Sequence, residues 1–468
     1  MGSTFIALPL TSGEAFLLRT TDDAGREWTI LVDGGKKYSE NSRELAKVLA
    51  EVSPRIERID IVVCTHSDSD HSQGLWYLAE DWYGMGRSIG EFWLPGRWAN
   101  AMPDILTDPS RFAARLVEGA YEASKRVSYA DRKDGDEKAS RASFVSRELR
   151  YRNLAGELDL ADDHITSAVV AIDGEAHAPE DGRSAAAFGL TSAELHLLRA
   201  DTQESDDSVD PLTAALQHAD SRSKFAEIAF FDERSMWLER SSPVMLEAHM
   251  VLQEVAETAQ AIRRIALAAL ERKIGVRWFD FGEYAKTDRP SGGEPGLFEP
   301  LCSVEVIPDQ AKLTRLSAFM LVTNLRLTRQ NVESLVFYRP ETRDAPGVLF
   351  LGDSRLAHGI ERPEKDFPVR YPQPGRKLLV TAPHHGSDHN DNAFSVLDDW
   401  LGPNGAVFVR NGGQSNQKLA DFLGRTERRC AQCVQCHGKE WNQWVAVTSS
   451  GNSWNWPPSA NVCGTPKT

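Results

Sequence analysis

The sequence contains no long apolar run and no surplus of basic residues. None of its apolar stretches reaches the roughly 18 residues that a membrane-spanning helix requires. The N-terminal residues MGSTFIALPLTSGEAFLL also lack the basic segment that begins a secretory signal. The formal net charge of −15 argues against a protein that coats duplex nucleic acid, because binding many phosphates requires excess Lys and Arg. We therefore expect a cytoplasmic protein without membrane contacts, in which a local basic groove is still compatible with the overall charge.

Cysteine is scarce and unevenly distributed. This pattern is less typical of a disulfide framework than of reduced thiols or a local metal site. A structural zinc at the C-terminal cysteines is one interpretation, and unligated thiols are the other. The pattern Cys433-x-x-Cys436-His437 also matches a c-type haem attachment site, but that would require an exported chain. Cys64 and Cys302 lie outside the C-terminal segment. The residues that would hold a zinc ion are Cys430, Cys433, Cys436, His437 and Cys463.

The chain length predicts more than one structural segment. At 468 residues it exceeds an average domain, and 41% hydrophobic and 26% charged residues are typical of a globular protein. Strand-like runs occupy residues 1–95 and 275–468, whereas residues 96–274 are mainly helical, with an acidic, flexible linker near 172–210. We expect an α/β domain interrupted by a helical insertion. Helical spacing of apolar residues predicts a packed helix that contains Val251, Val255, Ile262, Ile265 and Leu270.

Four potential metal ligands follow one apolar run. Residues Ile61 to Cys64 predict a buried strand, and the segment THSDSDH comes directly after it. Imidazole and carboxylate groups at this spacing can bind two divalent cations, and stability alone does not require so many ionisable groups beside a buried strand. The alternative is a solvated loop with a helix cap from Asp70. The four candidate ligands are His66, Asp68, Asp70 and His71.

Three further strand-like runs end in polar residues. Asp33 closes the run TILV, Asp353 follows VLFL, and the pair His384–His385 follows LLVTAP. Each feature alone is more typical of an ordinary turn or of a surface histidine pair. Because all of them follow predicted strands, as the THSDSDH segment does, we expect them to complete one split site.

These motifs resemble the metallo-β-lactamase superfamily. The pattern His-x-Asp-x-Asp-His is similar to its His-x-His-x-Asp-His signature, with Asp68 in place of the second histidine. Together with the later sequence HHGS, this variant resembles the branch that contains the soluble nuclease domain of ComEC-type DNA-uptake proteins. The similarity covers SGEAFLLRT, VDGG, SVEVIP, NVESLVF, LFLGD, LLVTAPHHGS and WVAVTSSGNSW, a little over half of the chain. It implies an α/β fold of the αββα sandwich type.

The resemblance also implies roles for single residues. His66 and Asp68 would serve a first metal, and Asp353 would bridge two metals. Asp33 would orient ligands by hydrogen bonding. A histidine expected in the wider superfamily is absent, and Asn331 and Ser334 stand in its region, a pattern that the ComEC-type branch shares. The second metal would be held by Asp70, His71 and one of His384 or His385, with His384 preferred.

The donor set bears on the metal and on the reaction. Because Asp68 and Asn331 stand in place of histidines, the site is rich in oxygen donors, which favours manganese. Zinc and magnesium are the alternative metals. The site could hold one or two ions. A metal-bound hydroxide would attack an electrophilic phosphorus or carbonyl. Asp70 would serve this chemistry, and His385 or Ser387 would donate to the leaving group or a phosphate oxygen.

Three functions are compatible with the sequence. The first is a phosphodiesterase or nuclease that acts on DNA or RNA. The second is hydrolysis of a small ester, lactone or cyclic nucleotide, which the acidic net charge favours. The third is a regulatory or scaffold protein whose helical insertion binds a partner protein. The insertion could also narrow the cleft and so select among substrates.

Overall fold

The structure is a computed structural model, and its described residues fall into two units. The first unit takes in Met1–Gly96, Leu267–Val306 and Asn331–Thr468, and the second takes in Arg97–Ala266 and Ile307–Gln330. The chain therefore leaves the first unit twice and returns to it twice. The described residues are 2–36, 44–133, 187–188, 190, 194, 198, 211–222, 243–307, 317–325, 333–356, 373–388, 391–412, 418–431, 445–451, 453–456 and 463.

A nine-stranded mixed sheet forms one layer of the first unit. Its strand order is β15-β14-β1-β2-β3-β4-β5-β6-β8. The strands from β3 to β6 run parallel to one another, and the remaining neighbours are antiparallel. The strands are β1 (Thr4–Ala7), β2 (Phe16–Thr21), β3 (Glu27–Val32), β4 (Arg58–Val63), β5 (Ser88–Pro95), β6 (Gly275–Asp280), β8 (Val304–Val306), β14 (Val445–Ser450) and β15 (Ser453–Asn455).

A six-stranded mixed sheet forms the other layer. Its strand order is β13-β12-β11-β10-β9-β7. Strands β10 to β13 are parallel, and β9 pairs antiparallel with β10 and β7. Every residue of β10, β11 and β12 is buried, as expected for parallel strands covered on both faces. The strands are β7 (Glu299–Pro300), β9 (Phe337–Arg339), β10 (Val348–Phe350), β11 (Leu378–Thr381), β12 (Ala406–Asn411) and β13 (Arg428–Ala431).

The two sheets share one aromatic core. The ring of Phe350 on β10 lies 5.8 Å from that of Phe5 on β1 and 6.3 Å from that of Phe16 on β2. Trp93 on β5 stacks near Phe337 on β9 at 5.3 Å. Burial of one such side chain contributes roughly 1.5–3 kcal/mol, so these contacts hold the sheets face to face.

One helix was predicted directly from the spacing of apolar residues. The five apolar residues at helical spacing in the predicted packed helix are all buried, which confirms that prediction. In the second unit, α6 packs closely on α10. The close approach is possible because Gly119 of α6 has no side chain: a Cβ on this residue would collide with the carbonyl of Ala318. The helices are α1 (Leu45–Val52), α2 (Ser69–Ser72), α3 (Leu78–Gly84), α4 (Gly96–Ala99), α5 (Met102–Thr107), α6 (Pro109–Lys133), α7 (Pro211–Arg222), α8 (Pro243–Arg272), α9 (Phe281–Thr287), α10 (Ala318–Leu325), α11 (Asp391–Leu401) and α12 (Ala420–Leu423), with 3₁₀ turns at Gln73–Trp76 and Pro383–Gly386.

The architecture confirms the predicted mixed α/β class. Strands β3 and β4 of the first sheet, and β10, β11 and β12 of the second, have parallel neighbours on at least one side. In α/β sheets, ligands bind beyond the carboxyl ends of such strands. Within the described part of the chain, no helix combines the length and apolarity needed to cross a bilayer.

Candidate metal centre

Close contacts at two glycines fix the loop that carries Asp33 against the loop that carries His71. Asp33 follows β3 with a left-handed φ of 61°, and the next residue, Gly34, donates its N–H to the carbonyl of His71 at 2.6 Å. A Cβ on Gly34 would collide with Leu75, and one on Gly74 would collide with the carbonyl of Gly34. The end of β3 therefore lies against the segment after β4 because neither Gly34 nor Gly74 carries a side chain.

Asp33 orients two histidines. Its Oδ2 atom lies 2.8 Å from Nδ1 of His71 and accepts a hydrogen bond from the Thr65 hydroxyl, also at 2.8 Å. Because that hydroxyl donates to Asp33, it accepts from Nδ1 of His66, which lies 2.9 Å away. One buried carboxylate thus keeps the proton on Nδ1 of both rings. In the neutral form of each ring, Nε2 then has the lone pair that can bind a cation.

Asp353 lies on the opposite side of these rings. Its carboxylate oxygens are 3.6 Å from Nε2 of His66, 3.3 Å from Nε2 of His71 and 3.5 Å from Nε2 of His384. Asp68 adds a second carboxylate 3.7 Å from Nε2 of His66. Histidines that follow β4 and β11 therefore converge with their Nε2 atoms on one buried aspartate that follows β10.

His385 lies with a second set of ligands. Its Nε2 atom is 3.0 Å from Asp70, and its ring centroid is 5.0 Å from that of His71. Its Nδ1 atom lies 2.8 Å from the main-chain carbonyl of Asn411, at the end of β12, and 3.4 Å from the carboxylate of Glu14. His385 is 4% exposed at its side chain, whereas His384 is 32% exposed. The two adjacent histidines thus have different surroundings.

A strained turn presents these two histidines. His384 and His385 have φ values of 48° and 52°, and Gly386 follows at 78°. The left-handed region costs a non-glycine residue roughly 1–2 kcal/mol. The turn is held by the His384 N–H, which donates to the carbonyl of Gly352 at 3.1 Å, and by Arg410, which donates to the carbonyl of His385 at 2.5 Å. Such strain is concentrated at functional sites.

Opposite charges are tightly coupled in the site. Burial and the neighbouring His71 would lower the pKa of His66, but the carboxylates of Asp68 and Asp353 outweigh them and raise it to about 9. Burial would raise the pKa of Asp353, yet His384, His71 and His66 together hold it well below its usual range. Burial opposes ionisation of Asp70 as well, and its hydrogen bond with His385 lowers its pKa. Without a metal, His66, His71 and His385 therefore favour the protonated form, because the pKa of each is raised. Asp70 and Asp353, whose pKa values are lowered, favour the ionised form.

The donor atoms fit one or two divalent cations. Among the described residues, Nε2 of His66, Nε2 of His71 and Oδ1 of Asp68 are buried without a hydrogen-bond partner. Such orphaned atoms are costly unless a ligand satisfies them. Three groups have ligand atoms within 4.8 Å of one another, and His71 belongs to each: His66, His71 and Asp353; Asp70, His71 and His385; and Glu14, Asp33 and His71.

Of the remaining predicted residues, some are buried and others lie outside the described part of the chain. Ser387 and Ser334 are fully buried. Cys430 and Cys463 are buried as well, and Arg428 beside Cys430 donates to the carbonyl of Cys463 at 2.8 Å. Outside the described residues lie Asn331, Cys433, Cys436 and His437, so the proposed structural zinc stays a prediction.

Sequence reasoning missed three residues that contact the predicted site. Thr65 was treated only as the start of a ligand segment, although its hydroxyl links Asp33 to His66. Asn411 ends the run AVFVR, so the strand-end rule that selected Asp353 would have selected it too. Glu14 gave a weaker signal, a single acidic residue directly before the buried run AFLL.

Comparison of the chain with protein-family models finds no match, and comparison with curated proteins finds none.

Proposed function

We propose that this protein is a metal-dependent hydrolase with the metallo-β-lactamase fold and that it cleaves phosphodiesters. The observation that carries the proposal is Asp353, whose buried carboxylate has Nε2 atoms of three histidines within 3.6 Å. Two mixed sheets with a shared core, and ligands at the ends of β4, β10 and β11, support the fold assignment. The resemblance of HSDSDH and HHGS to the superfamily motifs supports it independently.

The geometry favours a specific division of ligands. His66 and Asp68 would hold one cation, and Asp353 would be shared with a second. Asp70 and His71 would hold that second cation together with His385. This choice differs from the sequence-based preference for His384. It is supported by the 3.0 Å distance between Nε2 of His385 and Asp70, and by the burial of His385.

Bound divalent cations would supply Lewis acidity at the scissile group and stabilise negative charge that develops there. The protein residues have separate tasks. Asp33 keeps the Nδ1 protons of His66 and His71 in place, so that neither ring can rotate or change tautomer. His384 is the most exposed histidine of the site. Asp353 would raise its pKa, but burial and His385 lower it, so its imidazole is suited to accept a proton rather than to hold one. Ser387 is fully buried, which weighs against its predicted contact with substrate.

Ligand chemistry favours manganese over zinc. The two groups combine three imidazoles with the carboxylates of Asp68, Asp70 and Asp353, an oxygen-rich set. Manganese and magnesium prefer such oxygen donors, and imidazole suits manganese better than magnesium. Zinc is compatible with the same ligands at lower coordination number.

A small substrate is the second candidate. The net charge of −15 disfavours long polyanions and favours a small ester, lactone or cyclic nucleotide in the same site. The nuclease assignment depends on the similarity to the ComEC-type variant of the motif. The two candidates differ in the length of substrate that they accept.

The test is to incubate the purified protein with single-stranded DNA, double-stranded DNA, RNA, a cyclic dinucleotide and bis-p-nitrophenyl phosphate. Manganese, magnesium and zinc are supplied separately. The expected result is manganese-dependent cleavage of phosphodiesters that is lost in Asp353→Asn and retained in Asp398→Asn. Asp398 is a matched control because its side chain is 42% exposed and pairs with Arg425 away from the histidines. Equal turnover by Asp353→Asn and the parent protein would refute the proposal.

A further inference from the structure

Glu14 places a carboxylate in the interior behind His385. The residue is 1% exposed, and its Oε2 atom lies 3.4 Å from Nδ1 of His385. Burial of a charged carboxylate costs several kcal/mol unless a partner compensates it. Its contact with an imidazole of the candidate metal centre therefore requires a reason other than packing.

The loop around Glu14 is fixed by three neighbouring segments. The N–H of Glu14 donates to the carbonyl of Asp70 at 2.8 Å, and the carbonyl of Glu14 accepts from Gly35, also at 2.8 Å. The side-chain amide of Asn411 donates to the carbonyls of Leu8 and Ala15. The main chain of Glu14 is thus tied to segments on both sides of the site, so the fold places its side chain within reach of His385.

The same arrangement occurs at His71. There, Asp33 contacts Nδ1, and Nε2 faces Asp353. At His385, Glu14 and the carbonyl of Asn411 contact Nδ1, and Nε2 faces Asp70. A carboxylate behind a metal-binding histidine fixes the ring and makes its other nitrogen a stronger donor.

We propose that Glu14 is a positioning residue for the second metal and that it acts through His385. Glu14 and the Asn411 carbonyl together hold the Nδ1 proton, which leaves the Nε2 lone pair directed toward Asp70 and makes it more basic. The proposal rests on the proposed metal site, since it assigns His385 as a ligand. It adds a second carboxylate–histidine pair to the one formed by Asp33 and His71.

Zinc is the probe because it is diamagnetic and binds imidazole. The variant is Glu14→Gln, which keeps the shape of the side chain and removes its charge. We expect zinc affinity, measured by competition with a chromophoric chelator, to fall by about 10-fold or more. The matched control is Glu44→Gln, because Glu44 binds the main chain and hydroxyl of Thr11 in the same loop without contacting His385. Its zinc affinity should equal that of the parent protein.

A nuclear magnetic resonance readout separates positioning from general loss of structure. In zinc-loaded protein, the Nδ1 protons of His71 and His385 are observed by long-range ¹H–¹⁵N correlation and assigned with His71→Gln and His385→Gln. Glu14→Gln should shift the His385 signal and leave the His71 signal unchanged. Asp33→Asn should do the reverse. Equal shifts of both signals in either variant would overturn the proposal.

A double-mutant cycle keeps the proposal testable if Glu14→Gln is unstable. In that case Glu14→Asp, which keeps the charge but shortens the reach, replaces it. Either substitution should weaken zinc binding in the parent background and have no further effect in a His385→Ala background. An additive loss would refute the proposal. All zinc titrations use a Cys433→Ser, Cys436→Ser background, so that zinc at the predicted C-terminal site does not contribute. If this protein binds no zinc, the proposed metal site fails, whereas normal zinc binding by Glu14→Gln would refute only the role of Glu14.

Discussion

At the scale of single residues, Asp33 and Asp353 are both buried carboxylates, but they contact opposite sides of the same imidazole. Asp33 accepts from Nδ1 of His71 at 2.8 Å, whereas Asp353 is 3.3 Å from Nε2. The first position can only orient the ring. The second lies where a cation would bind. Substitution of the two aspartates should therefore have different effects, although both are almost inaccessible to solvent.

Asp353→Asn should abolish metal-dependent hydrolysis, because it removes the charge that two cations would share. Asp33→Asn should weaken metal binding by about 10–100-fold and leave measurable hydrolysis at saturating metal. Metal affinity by calorimetry and turnover of bis-p-nitrophenyl phosphate check both expectations.

Asp70→Ala and His71→Ala should resemble Asp353→Asn while circular dichroism shows an intact fold. Full turnover by Asp70→Ala at saturating metal would contradict the ligand assignment.

The histidine pKa values predict opposite pH trends for metal-free stability and metal affinity. The pKa of His66 is raised from 6.5 to about 9, so the metal-free protein keeps a proton there that the unfolded chain releases. This contribution, on the order of 3 kcal/mol, is fully present below pH 6.5 and is lost as the pH rises through about 9. Because a metal must displace that proton, its affinity should increase over the same interval.

Thermal unfolding and calorimetric titration with manganese at pH 6, 7 and 8.5 check this pH dependence. The metal-free protein should unfold at lower temperature as the pH rises, and manganese should bind more tightly. His66→Gln should flatten both trends. Tighter manganese binding at pH 6 than at pH 8.5 would contradict the prediction.

The sequence indicated which candidate residues follow strands but not which contacts join distant segments. Asp33 directly follows an apolar run, and His66 and Asp353 each follow one after a single residue, so their proximity at one edge was foreseeable. The choice between His384 and His385 was not, because it depends on a left-handed turn and on the Asn411 carbonyl. Glu14 reaches His385 from the other end of the chain, and no local pattern encodes that contact.

At the scale of elements, Arg339 at the end of β9 is a cation buried inside the core. It is 1% exposed, and burial lowers its pKa to about 10. Its guanidinium donates to the hydroxyl of Ser3, which directly precedes β1, and to that of Thr20 in β2. Both strands belong to the other sheet. It also donates to three carbonyls of the turn between β9 and β10, those of Pro340, Ala345 and Pro346. One side chain thus links the two sheets and closes a turn.

Arg339→Met should lower the free energy of unfolding by about 3 kcal/mol, because it leaves buried carbonyls without a donor. Urea denaturation measures this loss, and zinc affinity should stay unchanged. The matched control is Arg376→Met. Arg376 also donates to a carbonyl of this turn, that of Thr342, but it lies nearer the surface, so the loss should be under about 1 kcal/mol. Equal losses in the two variants would show that burial of Arg339 has no special effect.

Arg339 also illustrates a limit of prediction for elements. The run SLVFYR predicted a strand, and β9 forms within it. A terminal arginine in such a run is usually expected to face solvent, because its charge is costly to bury. Its burial depends on hydroxyls more than 300 positions away along the chain. Strand positions were therefore predictable from local sequence, whereas the interior polar contacts between sheets were not.

At the scale of the whole molecule, the helical segment connects two neighbouring parallel strands. Strand β5 ends at Pro95, β6 begins at Gly275, and the two pair directly, with Glu91 opposite Gly275. A connection between parallel neighbours must return along the length of the strand, roughly 20 Å for six residues. A replacement for the segment therefore needs about 12 residues or more, rather than a tight turn.

Replacement of residues 97–266 by a 15-residue Gly/Ser linker, with 307–330 also shortened, tests the function of the second unit. We expect turnover of bis-p-nitrophenyl phosphate to persist, because every proposed ligand lies in the first unit. Preference among single-stranded DNA, double-stranded DNA and RNA, or binding of a co-purifying protein, should change. Identical preferences and partners in the shortened protein would exclude a role of this unit in substrate or partner selection.

The pairing of β1 with β14 has a consequence for synthesis of the chain. Residues Thr4–Ala7 pair with Val445–Thr448, so one edge of β1 stays open while the ribosome produces the intervening residues. At 5–20 residues per second, this interval is on the order of tens of seconds. An exposed strand edge is a template for pairing with other chains. That edge of β1 therefore gains its native partner only after the C-terminal hairpin of β14 and β15 has left the ribosome.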